Sequence, residues 1–112
     1  MLFRSLRDYC LSLSPEVVEK FPFRQFKAAQ NVLAFYIGGH IFCYFNIDDL
    51  RCVTVKCHAA DIPVLLERHD SLGRPYNGNP KYWVGIDATR GDTALVKRLV
   101  ADSFAIVGGG AA

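Results

Sequence analysis

The sequence predicts an α+β fold, a two-layer α/β sandwich in which an antiparallel sheet carries helices on one face. Two observations predict it. Amphipathic helical stripes stand near both ends of the chain, and between them Asn31 to Cys57 is rich in aromatic and β-branched residues broken by turn signals. Taken along the chain, the order is helix, three strands, helix, strand, helix.

Phe3, Leu6, Cys10 and Leu13 recur at spacings of three and four with Arg4, Arg7 and Asp8 off the stripe, so the first segment is an amphipathic helix. Ser14, Pro15 and Glu16 form a helix restart signal: serine can cap, proline suits the first helical position and an acid suits the positive end of the helix dipole. A short turn of helix through Val17 and Val18 is expected before Pro22 breaks the pattern. NVLAFYI and HIFCYFNI then flank Gly38 and Gly39, a pair able to take positive φ in a two-residue hairpin turn, and Asp48 and Asp49 turn the chain into LRCVTVKC. Ile62, Leu65 and Leu66 suit a helix within Ala59 to His69, and Ser71 to Pro80, with two prolines and two glycines, reads as loop. Tyr82, Val84, Ile86 and Ala88 alternate with Trp83, Gly85 and Asp87 as a fourth strand. Asp92 or Thr93 then caps a helix carrying Leu95, Val96, Leu99, Val100 and Ser103, ending near Val107.

The hairpin carries one anomaly. If Ile37 pairs with His40, Leu33, Phe35, Ile37, Phe42 and Tyr44 share one face, and the other face, with Val32, Ala34, Tyr36, Ile41, Cys43 and Phe45, is also apolar. A sheet half open to water should alternate instead. Either further elements cover the second face or it is a partner surface, with Phe42 and Tyr44 opposite Leu33 and Phe35 as the seat of a protein contact or homodimer.

At 112 residues the chain fits one domain, residues 1–107, followed by a flexible tail at 108–112. No apolar run approaches the length of a membrane span and no secretory leader is recognisable, so no membrane association and a cytoplasmic location are expected. Cys10, Cys43, Cys52 and Cys57 stand on separate segments with no CxxC pair, which favours reduced thiols over a disulfide framework. A net charge of +2 and a pI near 8.4 permit nucleic-acid binding without arguing for it.

Cys52, Cys57 and His58 lack the closely spaced ligand pairs of a zinc site, and Cys52 and Cys57 belong on opposite faces of one strand. His40 belongs beside the hairpin turn and His69 near a helix end, where a cation is favoured. No paired carboxylates, nucleophile elbow, P-loop or dinucleotide fingerprint occurs, so neither enzymatic activity nor a cofactor or metal is expected. Trp83 is the candidate for function. A strand that gives Tyr82, Val84 and Ile86 to the core turns Trp83 outward, onto the sheet face that also holds Lys56, where it can stack on a base or dock a partner. The competing reading packs Trp83 under the Pro75 to Pro80 loop.

"LRDYCLSLS", "KFPF", "GGHIFCYF", Val55-Lys56, Arg74-Pro75, "KYWVGID" and "LVADSFAIV" occur in this order across nearly the whole chain. On their order and spacing the sequence resembles the MmcQ/YjbR family of small bacterial proteins. The resemblance implies a CyaY-like (frataxin-like) sandwich and DNA binding through the sheet and its hairpin. Lys56, Arg74, Lys81 and Trp83 match the family pattern and are the positions carried over. His40 departs from it, since a lysine commonly stands there, which removes a phosphate-contacting charge. Iron binding as in true frataxins needs an acidic ridge on the first helix, and here Arg4 and Arg7 face Asp8 alone. The expected site is therefore a DNA-binding surface in which Lys56, Arg74 and Lys81, helped by Arg51 and Arg24, contact phosphates while Trp83 or Tyr76 stacks or packs.

Overall fold

Asn31 to Cys57 folds as three consecutive strands, as its aromatic and β-branched content requires. In the computed structural model, which describes residues 1–108, these are β2 (Val32–Ile37), β3 (His40–Asn46) and β4 (Asp49–Lys56). Helix α1 (Phe3–Ser12) and strand β1 (Val18–Lys20) precede them. Helix α2 (Ile62–Arg68), strands β5 (Leu72–Gly73) and β6 (Trp83–Ile86), and helix α3 (Thr93–Val107) follow. The strands form one sheet in the order β1-β2-β3-β4-β6-β5 with every neighbouring pair antiparallel. This is an α+β fold, and one core cluster takes Leu6 and Cys10 from α1, Ile62 from α2 and the apolar stripe of α3 onto the sheet. Residues 109–112 of the expected tail lie outside the described residues. No helix among the described residues is long and apolar enough to cross a membrane.

Local chemistry accounts for most boundaries. Gly38 and Gly39 turn with φ of 58° and 84°, the left-handed values that a two-residue hairpin needs at both central positions. Asp92 caps α3 by accepting the Leu95 amide at 3.1 Å, and Leu95, Val96, Leu99, Val100 and Ser103 are the buried face of that helix. Cys57 joins the core while Cys52 lies on the opposite side of the sheet, as their spacing requires.

Four expectations need correction. Val17 and Val18 do not continue a helix: Ser14 accepts the Glu16 amide and closes one turn, after which Val18, Glu19 and Lys20 pair with Tyr36, Phe35 and Ala34. Backbone pairing along the open edge of β2 outweighs a local cap signal. The Ser71 to Pro80 loop contains β5, whose Leu72 and Gly73 pair with Ile86 and Gly85. Tyr82 does not enter the core: it precedes β6 and is 40% exposed. The hairpin faces are also redrawn. Phe35 pairs with Cys43 but Tyr36 with Ile41, so Phe42 is an extra residue in a β-bulge. The bulge shifts the alternation by one, and Phe42, Cys43 and Phe45 join Leu33, Phe35 and Ile37 in the core, leaving Tyr44 on the other face. Phe35 stacks on Phe45 with centroids 5.7 Å apart, and Phe42 meets Phe104 edge-on at 5.3 Å. Phe42, Leu33 and Phe35 are thus buried within the chain itself.

A bulge leaves backbone groups without ladder partners, and here α3 supplies them. The fully buried Ser103 hydroxyl donates to the Phe42 carbonyl and accepts the Lys56 amide at 2.9 Å, bridging β3 and β4 where their own pairing stops at Cys43 and Val55. Ser103→Ala strands both groups in the core. The expected loss is roughly 2–4 kcal/mol, the scale of leaving buried backbone donors and acceptors unpaired, read from urea unfolding. A loss below about 0.5 kcal/mol, the usual size of a surface substitution, would contradict the role assigned to the hydroxyl.

Candidate functional site

On the sheet face away from the core, strand pairing sets out the side chains in rows. Tyr44 pairs with Thr54 and Thr54 with Gly85, and in the next row Lys56 pairs with Trp83. The Lys56 ammonium lies 5.8 Å from the Trp83 ring centroid, and the Tyr44 ring meets Trp83 edge-on at 5.8 Å. Trp83 therefore stands outward beside Lys56, as the strand alternation predicts. It is also half-buried.

The segment from Gly73 to Trp83 is what covers it. This loop is tied to the sheet through its backbone: the Tyr44 hydroxyl donates to the Tyr76 carbonyl at 2.6 Å, the Tyr76 amide donates to Thr54 Oγ1 at 3.2 Å, and the Cys52 thiol donates to the Arg74 carbonyl at 3.6 Å. Two glycines make room for the approach. A Cβ on Gly85 would overlap the Arg74 carbonyl oxygen and lie 2.7 Å from Cys52 Sγ, and one on Gly78 would lie 2.9 Å from the Tyr44 hydroxyl and 3.4 Å from Trp83 Cβ. Both readings of Trp83 hold at once, since it shares a face with Lys56 and packs beside the loop.

The remaining candidates fall into two groups. Arg74, Tyr76 and Lys81 ride on the covering loop or at its end, with Arg74 and Lys81 exposed and Tyr76 37% exposed. The Lys81 ammonium lies 5.4 Å from the Tyr82 ring. Among the described residues, neither these two cations nor Lys56 forms an ion pair. Arg51 does: its guanidinium grips Asp49 through two contacts of 2.9 and 2.8 Å and holds that carboxyl down at about 2, so its charge is largely spent inside the chain. Arg51 and Tyr76 share a depression of about 330 Å³ with Asp49 and Cys52. Arg24 is exposed in the segment leaving edge strand β1, at the opposite side of the sheet from β6, and the structure does not bring it to the cluster.

Thr54, Gly78 and Gly85 are parts of this site that the sequence reading did not single out, and Tyr44 it placed on the face of Leu33 and Phe35. A glycine inside an otherwise regular strand signals close approach of another backbone, so Gly85 carried a readable sign. Tyr44 carried none, because the bulge that turns it outward is invisible in the alternation.

The molecule is thus a small α+β protein that displays a tryptophan, a tyrosine and several cations on one end of an antiparallel sheet. Residues 12–106 match the model of the family described as YjbR, and the chain belongs to that family. Its structure is similar to that of protein DR2400 of Deinococcus radiodurans, described with the family-model domain DUF419: the TM-score is 0.81 at 22% identity, over 95% of this chain and 78% of that one. That likeness is one of fold. No curated protein matches the sequence.

Two outcomes test the attachment of the loop to the sheet. Burial pushes the Tyr44 hydroxyl up from 10.0 to about 12, so the folded chain favours the neutral phenol. Its contribution to stability is then whole below about pH 10 and is lost as pH rises towards 12. Tyr44→Phe should flatten that alkaline loss in unfolding curves, and an unchanged slope would place the loss elsewhere. Gly85→Ala should push the loop off β6 and shift Trp83 emission to longer wavelength while far-UV circular dichroism stays native. An unmoved emission maximum would refute the close approach.

Proposed function

We propose that this protein is a non-enzymatic DNA-binding module whose contact surface is the outer end of β4 and β6 with the loop over it. The observation that carries the reading is the Lys56 ammonium 5.8 Å from the Trp83 ring, on the face where Arg74 and Lys81 stand exposed without carboxylate partners among the described residues. Cations of this kind contact phosphates, and an aromatic beside them offers a surface to a base. Arg51 contributes little because Asp49 already holds it, and Arg24 is too far round the sheet to act with the others. Tyr76 extends the aromatic surface along the loop.

The magnitudes suit a weak, salt-sensitive binder. Three phosphate contacts give a slope of log K against log salt of about −3 on duplex and about −2 on single strands. A stacked base adds about 1–3 kcal/mol. The chain's formal net charge of +2 supplies little beyond these local contacts.

Because the chain has a single tryptophan, titration of its emission with short duplex and single-stranded DNA, at low and then physiological salt, reports directly on this face. Salt-sensitive quenching is expected. The Lys56→Ala, Lys81→Ala double variant should reduce the slope by about 2, one for each phosphate contact removed. DNA that leaves the emission and the sedimentation of the protein unchanged at low salt would end the proposal.

A further inference from the structure

The outward row that holds Lys56 and Trp83 does not stop at β4, because strand pairing carries it across the sheet. Val18 pairs with Tyr36 and Tyr36 with Ile41. These three stand on the face away from the core, since Phe35 and Ile37, the chain neighbours of Tyr36, belong to the core. The bulge sends both Phe42 and Cys43 inward and so leaves Ile41 as the residue that β3 turns outward at the level of Lys56. Lys56 follows the core residue Val55, shares the outer face and pairs with Trp83. The row therefore runs Val18, Tyr36, Ile41, Lys56, Trp83, from edge strand β1 to β6.

The same arrangement stands at both ends of this row. The Lys20 ammonium lies 4.9 Å from the Tyr36 ring centroid, as that of Lys56 lies 5.8 Å from Trp83. Lys20 is on this face because it stands two residues from Val18 along β1 and pairs with Ala34. Among the described residues neither lysine forms an ion pair, and Glu19, the acid between Val18 and Lys20, turns to the other face, where Arg7 holds it at 2.9 Å. Between the two lysine–ring pairs the surface is uncharged: Ile41 is half-buried, as are both rings, and Val18 is exposed at the end of the row. Tyr36 and Trp83 are three strand spacings apart, about 14 Å. Arg24 is not on the row, since β1 leads away from it beyond Lys20.

We propose that this row is the track of an unpaired DNA strand, with bases laid on Tyr36 and Trp83 and phosphates held by Lys20, Lys56 and Lys81. The inference rests on the DNA-binding reading and deepens it, naming the form of DNA and adding Lys20 and Tyr36 to the contact. The surface selects the form. A duplex keeps its bases stacked inside, and laid along this row it would set charged phosphates against Ile41 and Val18, which return nothing for the water lost. Unpaired bases bring an apolar face to the same side chains and a π-face to the two rings. Cations spaced between rings, rather than gathered in one patch, suit a backbone that runs beside its own exposed bases.

The probes are fluorescein-labelled oligothymidylate of about 12 nucleotides, within the site sizes of single-strand binders, and a hairpin duplex of similar charge, titrated with the full chain and followed by anisotropy. The single strand should bind at least about tenfold more tightly than the duplex. Tyr36→Ala should weaken single-strand binding about tenfold, the scale of one lost stack, while Tyr36→Phe keeps the ring and the affinity. Lys20→Gln, at an exposed position that leaves the fold intact, should lower the salt slope on single strands by about 0.7. If Tyr36→Ala unfolds the chain, Lys20→Gln decides alone. A duplex that binds as tightly as the single strand would overturn the inference, and so would a Lys20→Gln protein with an unchanged slope. Either result leaves the DNA-binding reading to the Lys56→Ala, Lys81→Ala variant. Absence of binding to both forms at low salt would remove the reading and the inference together.

Discussion

One hydroxyl holds the architecture together. Ser103 stands at full burial between two strands that have parted, and satisfies one backbone group on each. The bulge at Phe42 creates the need. An extra residue in β3 lets Phe42 and Cys43 both enter the core, which a regular strand could not do, but it removes the ladder partners beyond Cys43 and Val55. A backbone carbonyl and amide left dry in a core would cost more than the added phenylalanine contact returns. The helix therefore has to present a small donor and acceptor at that one position, and its side chain fixes how α3 sits on the sheet. Lys56 is the residue whose amide is held. The root of the cation that stands beside Trp83 is thus set by a contact on the opposite face of the sheet.

The outer face is governed by a different constraint, the cost of leaving one side of a sheet apolar and open. Thr54 is fully buried there and Tyr44 is half-buried, and the loop from Gly73 to Trp83 provides the cover. Its attachments run through backbone atoms of Arg74 and Tyr76, which leaves the side chains of these residues free to face solvent. A covering segment held by its backbone can expose whatever side chains function demands without loosening its own seat. That separation lets Arg74 and Tyr76 stand exposed beside Lys56 and Trp83 of the strands beneath.

The sequence showed the elements better than their faces. Helical periodicity named every buried position of α3, including Ser103, and the Gly38-Gly39 turn fixed the hairpin with its first pair, Ile37 and His40. These signals are local, carried by side-chain spacing and by backbone freedom at two glycines. Three of the errors came from strand pairing, which the spacing of side chains along one segment does not show. Val18 became a strand because β2 offered an edge, Leu72 became one because β6 did, and Tyr44 changed face because a bulge two residues earlier moved the register. Within the site, Lys56 beside Trp83 was legible from alternation and pairing alone. The capture of Arg51 by Asp49 could have been suspected from their spacing of two along one strand edge, yet only geometry shows the grip to be two-pronged.

Lys56 carries a further implication through its energetics. At 5.8 Å from the ring its cation–π contact with Trp83 is at the long end of the useful range and at a partly exposed site is worth about 0.5–1 kcal/mol. The backbone of Lys56 is fixed by Ser103 while its ammonium is only lightly held. A phosphate brought to the outer face would therefore meet a cation whose root is immobile and whose charge is free to leave the indole, since a charge-assisted hydrogen bond is the stronger of the two attractions.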